Sequence, residues 1–102
     1  MLVVAYVGAD VVGCGGIRFV SDDIAELTRV FVDHSVRGSG LGASMVECLE
    51  GFVQQAHRSR IRLDTRADLV EARRLYSKLG YREVPAFNAE PYAQVWLEKQ
   101  LL

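Results

Sequence analysis

The chain has 102 residues, of which 50% are hydrophobic and 25% are charged, which is the composition of one small globular domain. Its formal net charge of -1 gives no overall electrostatic reason to bind nucleic acid or an anionic membrane, so neither is expected as a partner. Cys14 and Cys48 are too few for a disulfide scaffold and stand in no ligand spacing, so we expect a reducing cytoplasm and no metal. The apolar start lacks a basic region and a membrane-length run, and is predicted to be a strand rather than a signal peptide.

The first third of the chain is predicted to form three antiparallel strands. Two β-branched stretches, Leu2 to Val7 and Val11 to Val20, flank the turn-like Gly8-Ala9-Asp10 and indicate a hairpin. A third strand, Ala25 to Val32, follows a polar turn. Glycines within strands usually mark a bulge or close packing, so a structural role is favoured for the cluster Gly13 to Gly16.

The rest of the chain alternates helices and strands. Beyond residue 40, apolar residues recur at helical spacing around polar Glu47, Glu50 and Gln54, and predict the main amphipathic helix: Leu41, Met45, Leu49, Phe52, Val53 and Ala56. Arg60 to Thr65 alternates as a short strand, and Asp68 is predicted to cap a second helix that ends before Gly80. The remaining segments predict two more strands in a single domain over residues 1–102, about Tyr81 to Ala86 and Ala93 to Leu101.

A glycine-rich loop, Arg37-Gly-Ser-Gly-Leu-Gly42, joins the third strand to the main helix. The first turn of a helix has unpaired N–H groups and a positive dipole end, so an anion there gains several donors at once. Gly38, Gly40 and Gly42 remove Cβ atoms and tolerate positive φ, and Arg37 can add a charge-assisted bond to a phosphate oxygen. The loop predicts a pyrophosphate site, and a ligand-free turn is the alternative.

Two common phosphate-binding motifs do not fit this loop. Ala43-Ser44 follows Gly42 where a P-loop requires Lys and then Ser or Thr. The Gly-x-Gly-x-Gly spacing and the preceding antiparallel strands also differ from the dinucleotide-binding fingerprint, which follows the first strand of a parallel sheet. The nucleotide-type ligand is therefore of another class.

The chain resembles the GNAT superfamily of acetyl-CoA-dependent N-acetyltransferases. The matching segments are Arg37, Gly40 and Gly42 of the signature loop, the strand Ala25 to Val32, the helix and strand Leu75 to Tyr81, and the closing strand Val95 to Lys99. The resemblance implies an α/β (α+β) fold with a mixed, mainly antiparallel sheet and the main helix after the pyrophosphate loop. Family members normally begin with a further strand and two helices that form one wall of the acceptor site. We therefore expect a homodimer in which a second chain covers the exposed sheet.

The resemblance also implies the reaction, which is transfer of an acetyl group from acetyl-CoA to an amine of a small molecule or protein by direct attack. Glu26 matches the carboxylate that takes the amine proton, and Tyr76 matches the tyrosine that protonates the departing thiolate. Strand alternation would place Glu26 on one face with Thr28, Val30 and Val32. An exposed strand carboxylate and a core tyrosine are the structural alternatives for the two residues.

The resemblance further implies that the backbone of the third strand and the loop hold acetyl-CoA, through Phe31, Val32, Arg37, Gly38, Ser39, Gly40, Leu41, Gly42 and Ala43. Six arginines form a locally basic stretch that we expect to be mostly a solvated face: Arg58, Arg60, Arg62, Arg66, Arg73 and Arg74. Two other functions remain open, a catalytically silent acyl-CoA-binding or regulatory module and a structural dimerisation domain with an empty loop.

Overall fold

The computed structural model describes residues 2–101 and contains six strands and two helices. The strands are β1 Leu2–Val7, β2 Asp10–Phe19, β3 Ile24–Val32, β4 Arg60–Thr65, β5 Arg82–Val84 and β6 Val95–Gln100. The helices are α1 Leu41–Gln55 and α2 Val70–Lys78, and a short 3-10 turn, His34–Val36, precedes the glycine loop. All the predicted elements are present, with bounds shifted by a few residues at several ends.

The strands form one sheet in the order β1-β2-β3-β4-β6-β5. Every neighbouring pair is antiparallel except β3 and β4, which are parallel. That parallel pair extends only from Ile24 opposite Arg60 to Glu26 opposite Arg62. Beyond Glu26 the two strands separate and leave the backbone of β3 without a partner on that side. The predicted mixed, mainly antiparallel fold is confirmed.

Both helices pack on the same face of the sheet, where the core lies. Buried residues of α1, such as Val46 and Leu49, join Tyr76 of α2 in one hydrophobic cluster with the strands. A Cβ atom at Gly13 would lie 2.9 Å from the sulfur of Met45, and one at Gly15 would lie 2.8 Å from Leu49. The glycine cluster in β2 therefore permits close packing of α1, as predicted. We call the opposite side of the sheet the open face.

One prediction for a polar residue at the helices is wrong. Asp68 does not cap α2, since the N-cap is Leu69 without a side-chain bond and the Asp68 carboxylate pairs with Arg66. Glu50, one of the polar residues between the apolar positions of α1, is 7% exposed, and its carboxylate contacts Lys99 of β6. The predicted end of α2 is confirmed, with Gly80 at φ 95° directly after the C-cap.

A bulge in β3 changes which side chains share a face. Thr28 pairs with Gly16 and Phe31 with Cys14, so β3 uses three residue steps where β2 uses two. Arg29 has φ 54° at this point. Val30 consequently lies on the helix side, with Cγ2 3.7 Å from a Cβ atom placed at Gly15. The prediction that Glu26 shares a face with Val30 and Val32 is wrong, because strict alternation holds only up to the bulge.

Candidate active site

The glycine loop adopts the left-handed backbone that its sequence predicts. Gly38 and Gly40 have φ values of 82° and 85°, a region that glycine enters without a steric penalty. Gly42 has another function, since a Cβ atom there would lie 3.0 Å from Leu75 of α2 and 3.6 Å from Val32 of β3. The third glycine therefore lets the start of α1 approach both the second helix and the end of β3.

The start of α1 presents a group of unpaired backbone donors. Among residues 2–101, the N–H groups of Gly40, Leu41, Gly42 and Ala43 donate to no protein acceptor. No side chain caps the helix, because the N-cap residue is Gly40 itself. Such a group of oriented N–H donors at the positive end of a helix dipole favours an anion with several oxygens, such as a pyrophosphate.

Ser39 and Arg37 of the loop bond to the chain that precedes it, and Arg37 also lies near α2. Both the N–H and the hydroxyl of Ser39 donate to the carbonyl of Val36. The Nε of Arg37 donates to the carbonyl of Val32 at 3.3 Å, and its Nη1 lies 3.9 Å from the carboxylate of Glu71. The side chain of Arg37 is half exposed and lies beside the loop, between the end of β3 and α2.

Two adjoining grooves lie where β3 and β4 separate. The first, the split groove, has a volume of about 310 Å³ and lies between the separated strands and α2, with residues of the loop before β6 along its rim. The second, the open-face groove, has a volume of about 600 Å³ and lies on the helix-free side of the sheet. Five residues line both grooves: Leu27, Thr28, Arg29, Asp64 and Glu90. The two grooves therefore meet at the point of strand separation.

Tyr76 lies in the wall of the split groove. Its side chain is 5% exposed and its ring meets Tyr81 edge to face, with centroids 5.5 Å apart. Burial raises the pKa of Tyr76 to about 12. Its hydroxyl has no protein partner among the described residues and is not sealed from solvent. The structure thus places a protonated phenol at the edge of the core, open to the groove.

Glu26 lies on the open-face groove and is 5% exposed. Its Oε2 accepts two hydrogen bonds from Arg62, at 3.1 and 3.0 Å, and its Oε1 accepts one from Arg18 at 3.0 Å. A carboxylate oxygen has about two acceptor positions, so Oε1 keeps one that faces no protein donor. Glu26 is therefore a buried carboxylate held by two guanidinium groups, with one acceptor position left.

The backbones of Phe31 and Val32 point in opposite directions. The N–H of Asp33 donates to the carbonyl of Val12 in β2. Because backbone groups alternate between the two sides of a strand, the N–H and C=O of Phe31, two residues earlier, also point toward β2. Those of Val32 point away from β2, toward the side of the loop. Of the two residues that the resemblance implies as backbone contacts, only Val32 has its backbone groups on the open edge.

Three polar residues of the open face were not singled out as site residues from the sequence. Arg62, one of the six arginines expected to form a mostly solvated face, is an exception, because its side chain is 17% exposed and its guanidinium lies 4.2 Å from the Phe87 ring centroid. Asn88 donates to the carboxylate of Asp64 at 2.8 Å and accepts from the indole of Trp96 at 2.9 Å. The alternation of β4 could have indicated Arg62 and Asp64 as open-face residues, because they lie on the sheet face opposite to that of the buried Ile61 and Leu63.

The fold is of the GNAT type. The model of the acetyltransferase (GNAT) family matches residues 1–81. The chain belongs to this family.

Known relatives differ in the acceptors or products that their names state. The chain is 29% identical to a streptothricin acetyltransferase of Escherichia coli, over 76% of this chain and 44% of that protein. It is 35% identical to an N-acetylaspartate synthetase of Xenopus tropicalis, over 62% of this chain and 23% of that protein. A GNAT acetyltransferase structure from Elizabethkingia anophelis with acetyl-CoA bound superposes with a TM-score of 0.82 at 16% identity, covering 98% of this chain and 75% of that one. The chain thus spans less than half the length of these two curated relatives.

Residues 2–101 contain neither a candidate membrane span nor a candidate metal site. No helix in this range is long and apolar enough to cross a membrane. No group of three or more His, Cys, Asp and Glu side chains in the same range is arranged to hold a metal ion.

Proposed function

We propose that this protein is an N-acetyltransferase that uses acetyl-CoA as donor and an amine of a small molecule or protein as acceptor. The observation that carries the proposal is the group of unpaired N–H donors from Gly40 to Ala43, at the start of α1, where Gly42 lies close to α2 and the end of β3. Family membership supports the same donor. The loop from Arg37 to Ala43 would hold the pyrophosphate, and the backbone of Val32 would pair with the pantetheine arm. Acetyl-CoA would supply a thioester carbonyl at the junction of the two grooves.

In the proposed reaction the amine nitrogen attacks that carbonyl, the C–N bond forms and the C–S bond breaks. One proton leaves the nitrogen and one is taken up by sulfur. Glu26 is proposed to take the amine proton through a water molecule at the remaining acceptor position of Oε1. The two arginines hold the carboxylate in place while its one open position faces the open-face groove.

Tyr76 is proposed to serve the departing sulfur. With a pKa of about 12, Tyr76 keeps its proton throughout the neutral range. Complete transfer of that proton to a thiolate of ordinary pKa about 8.5 is uphill by about 5 kcal/mol. Tyr76 therefore acts as a hydrogen-bond donor that stabilises the negative charge developing on sulfur. Sulfur takes the proton of Tyr76 only as the phenol regains one from water, so that no free phenolate accumulates.

The test of the donor site compares Gly40 of the glycine loop with Gly51 in the interior of α1. Gly40 has φ 85°, whereas Gly51 lies within α1, where an added Cβ atom would meet nothing within 4 Å. Gly40→Val strains the loop by about 1–2 kcal/mol and is expected to raise the KM for acetyl-CoA by about tenfold or more. The control Gly51→Ala should leave that KM unchanged. Equal KM values in the two variants would exclude the loop as the donor site.

Activity itself is tested by thiol release from acetyl-CoA across a panel of amines. Release that depends on the amine supports the transferase. A thermal shift on adding CoA without release for any amine would favour the alternative of a silent acyl-CoA-binding or regulatory module. That alternative has one specific support, which is that no helix of the described residues covers the open face.

The proposal includes a homodimer in the cytoplasm. The edge strand β1 and the start of β2 expose apolar side chains, with Leu2 55%, Tyr6 62%, Val7 60% and Val11 57% exposed. A second chain pairing along this edge would cover them. Sedimentation at micromolar concentration tests the dimer, and a clean monomer would contradict it. The cytoplasmic part of the proposal rests on the low cysteine content, which is two in 102 residues.

A further inference from the structure

Asp64 lies, with Glu90, where the two grooves meet, and its surroundings differ from those of Glu26, which lines only the open-face groove. Asp64 lies near the end of β4, is half-buried, and lines both the split groove and the open-face groove. No Lys, Arg or His side chain among residues 2–101 forms an ion pair with it. A charge withdrawn from water normally has a partner of opposite charge that offsets the cost of its burial, and this half-buried carboxylate has none. The charge of Asp64 is therefore available to a ligand.

The carboxylate of Asp64 is also held in a fixed orientation. Its Oδ2 accepts a hydrogen bond from the Nδ2 of Asn88 at 2.8 Å, and the Oδ1 of Asn88 accepts one from the Nε1 of Trp96 at 2.9 Å. Trp96 stands directly opposite Asp64 in the pairing of β4 with β6. The Trp96 indole thus fixes the Asn88 amide, and the amide fixes Oδ2 of Asp64. The other carboxylate oxygen, Oδ1 of Asp64, has no protein donor among the described residues.

We propose that Asp64 binds the ammonium form of the acceptor amine, which makes aliphatic amines that are protonated at neutral pH the preferred substrate class. This inference rests on the proposed acetyl transfer. An aliphatic amine with a pKa near 10 arrives as a cation, so an uncompensated carboxylate attracts it and accepts a strong charge-assisted hydrogen bond. From that position the nitrogen lies at the junction of the grooves, where it can lose its proton toward the water at Glu26. Asn88 and Trp96 are positioning residues.

The test compares Asp64→Asn with Glu83→Gln, since each removes one negative charge and Glu83 lies exposed on β5 outside both grooves. Steady-state kinetics are measured with an aliphatic amine and with an arylamine of similar size, which is uncharged at neutral pH. Asp64→Asn is expected to raise the KM for the aliphatic amine by about tenfold or more, and to leave the KM values for the arylamine and acetyl-CoA unchanged. Glu83→Gln should change none of them.

A second variant separates positioning from folding. Trp96→Phe removes the indole donor while it keeps an aromatic ring on β6, and should raise the KM for the aliphatic amine by a smaller factor of about two to five, with the KM for acetyl-CoA unchanged. Equal losses with both kinds of amine, or no loss in Asp64→Asn, would overturn the role of Asp64 while acetyl transfer stands. Absence of thiol release with every amine in the wild-type protein would instead overturn the proposed function, and the inference with it.

Discussion

Glu26 and Glu50 are the two buried charged residues among residues 2–101, and they lie on opposite faces of the sheet. Glu50 points into the core, where Lys99 contacts both of its oxygens, at 3.0 and 3.1 Å, and the hydroxyl of Tyr81 donates to Oε2 at 2.7 Å. Glu26 is held by two arginines, but it lines a groove, whereas Glu50 lines neither groove. A buried, paired carboxylate is therefore not by itself a sign of function. Access to a groove separates the candidate catalytic carboxylate from the structural one.

The largest expected effect is on stability, in Glu50→Ala. The change leaves the Lys99 ammonium and the Tyr81 hydroxyl without their partner in a mostly buried setting, which costs about 3–5 kcal/mol. For a domain of this size that loss lowers Tm by roughly 15–30 °C. Calorimetry measures it, with Glu47→Ala as the control, because Glu47 is exposed on the same helix and should cost less than about 0.5 kcal/mol. Similar Tm values for the two variants would mean that the Glu50 cluster does not stabilise the fold.

The next effect is on activity, in Glu26→Gln. Loss of the proton acceptor should lower kcat by about 10²-fold or more, in the range of general acid–base catalysis, and should change the pH–rate profile. The KM for acetyl-CoA should stay unchanged, because the loop and the split groove are intact. A pH–rate profile identical to that of the wild type would assign Glu26 to the same structural class as Glu50.

The contrast between these two residues also shows what the sequence could predict. The glycine loop was predicted in detail because its geometry is local, with φ > 0 at Gly38 and Gly40 set by residue type. The environment of each buried glutamate was not predictable, because its partners are distant in the chain. Arg62 lies 36 residues from Glu26, and Lys99 lies 49 residues from Glu50.

The same reasoning explains the error in β3 and the omission of Asp64. The bulge at Arg29 is marked by no glycine within β3 itself, although the glycine cluster of β2 lies opposite it, so alternation extrapolated from Glu26 predicted the wrong face for Val30. Asn88, which orients Asp64, lies 24 residues away in a loop without a regular pattern. The sequence therefore predicted the elements and the backbone of the glycine loop, whereas the side-chain contacts of the open face required the structure.

A third prediction concerns Tyr76, which lies between the Glu50 cluster and the split groove. Its folded pKa of about 12 exceeds the unfolded value of 10.0, so the stabilising contribution is fully present below pH 10 and is lost as the pH rises toward 12. The loss amounts to about 3 kcal/mol. The pKa of Tyr81 is raised as well, by burial and by its hydrogen bond to Glu50. Unfolding measured between pH 9 and 12 should show this decline.

Tyr76→Phe provides the control for the alkaline measurement. The variant should lose part of the decline in stability above pH 10, and the phenolate absorbance that appears near pH 12 should shrink by one tyrosine. If phenolate absorbance assigned to Tyr76 appeared near pH 10 in the folded protein, the hydroxyl would be solvated rather than held at the edge of the core. That result would contradict the proposal that Tyr76 is a hydrogen-bond donor that stays protonated, because the proposal assumes a buried hydroxyl with a raised pKa.

The smallest expected effect separates the two arginines that hold Glu26. The side chain of Arg62 is 17% exposed and makes two bonds to Oε2, whereas that of Arg18 is 67% exposed and makes one bond to Oε1. Arg62→Met should cost about 1–3 kcal/mol of stability, because Glu26 loses its buried partner. Arg18→Met should cost less than about 1 kcal/mol, because water replaces an exposed donor. Urea unfolding compares the two variants.

Since Arg18→Met also frees Oε1, the proton-accepting atom, its kcat should be retained. Equal destabilisation by both changes, together with loss of kcat in Arg18→Met, would show that Glu26 needs both arginines to function. The same result would show that the open acceptor position of Oε1 is not the site of proton transfer.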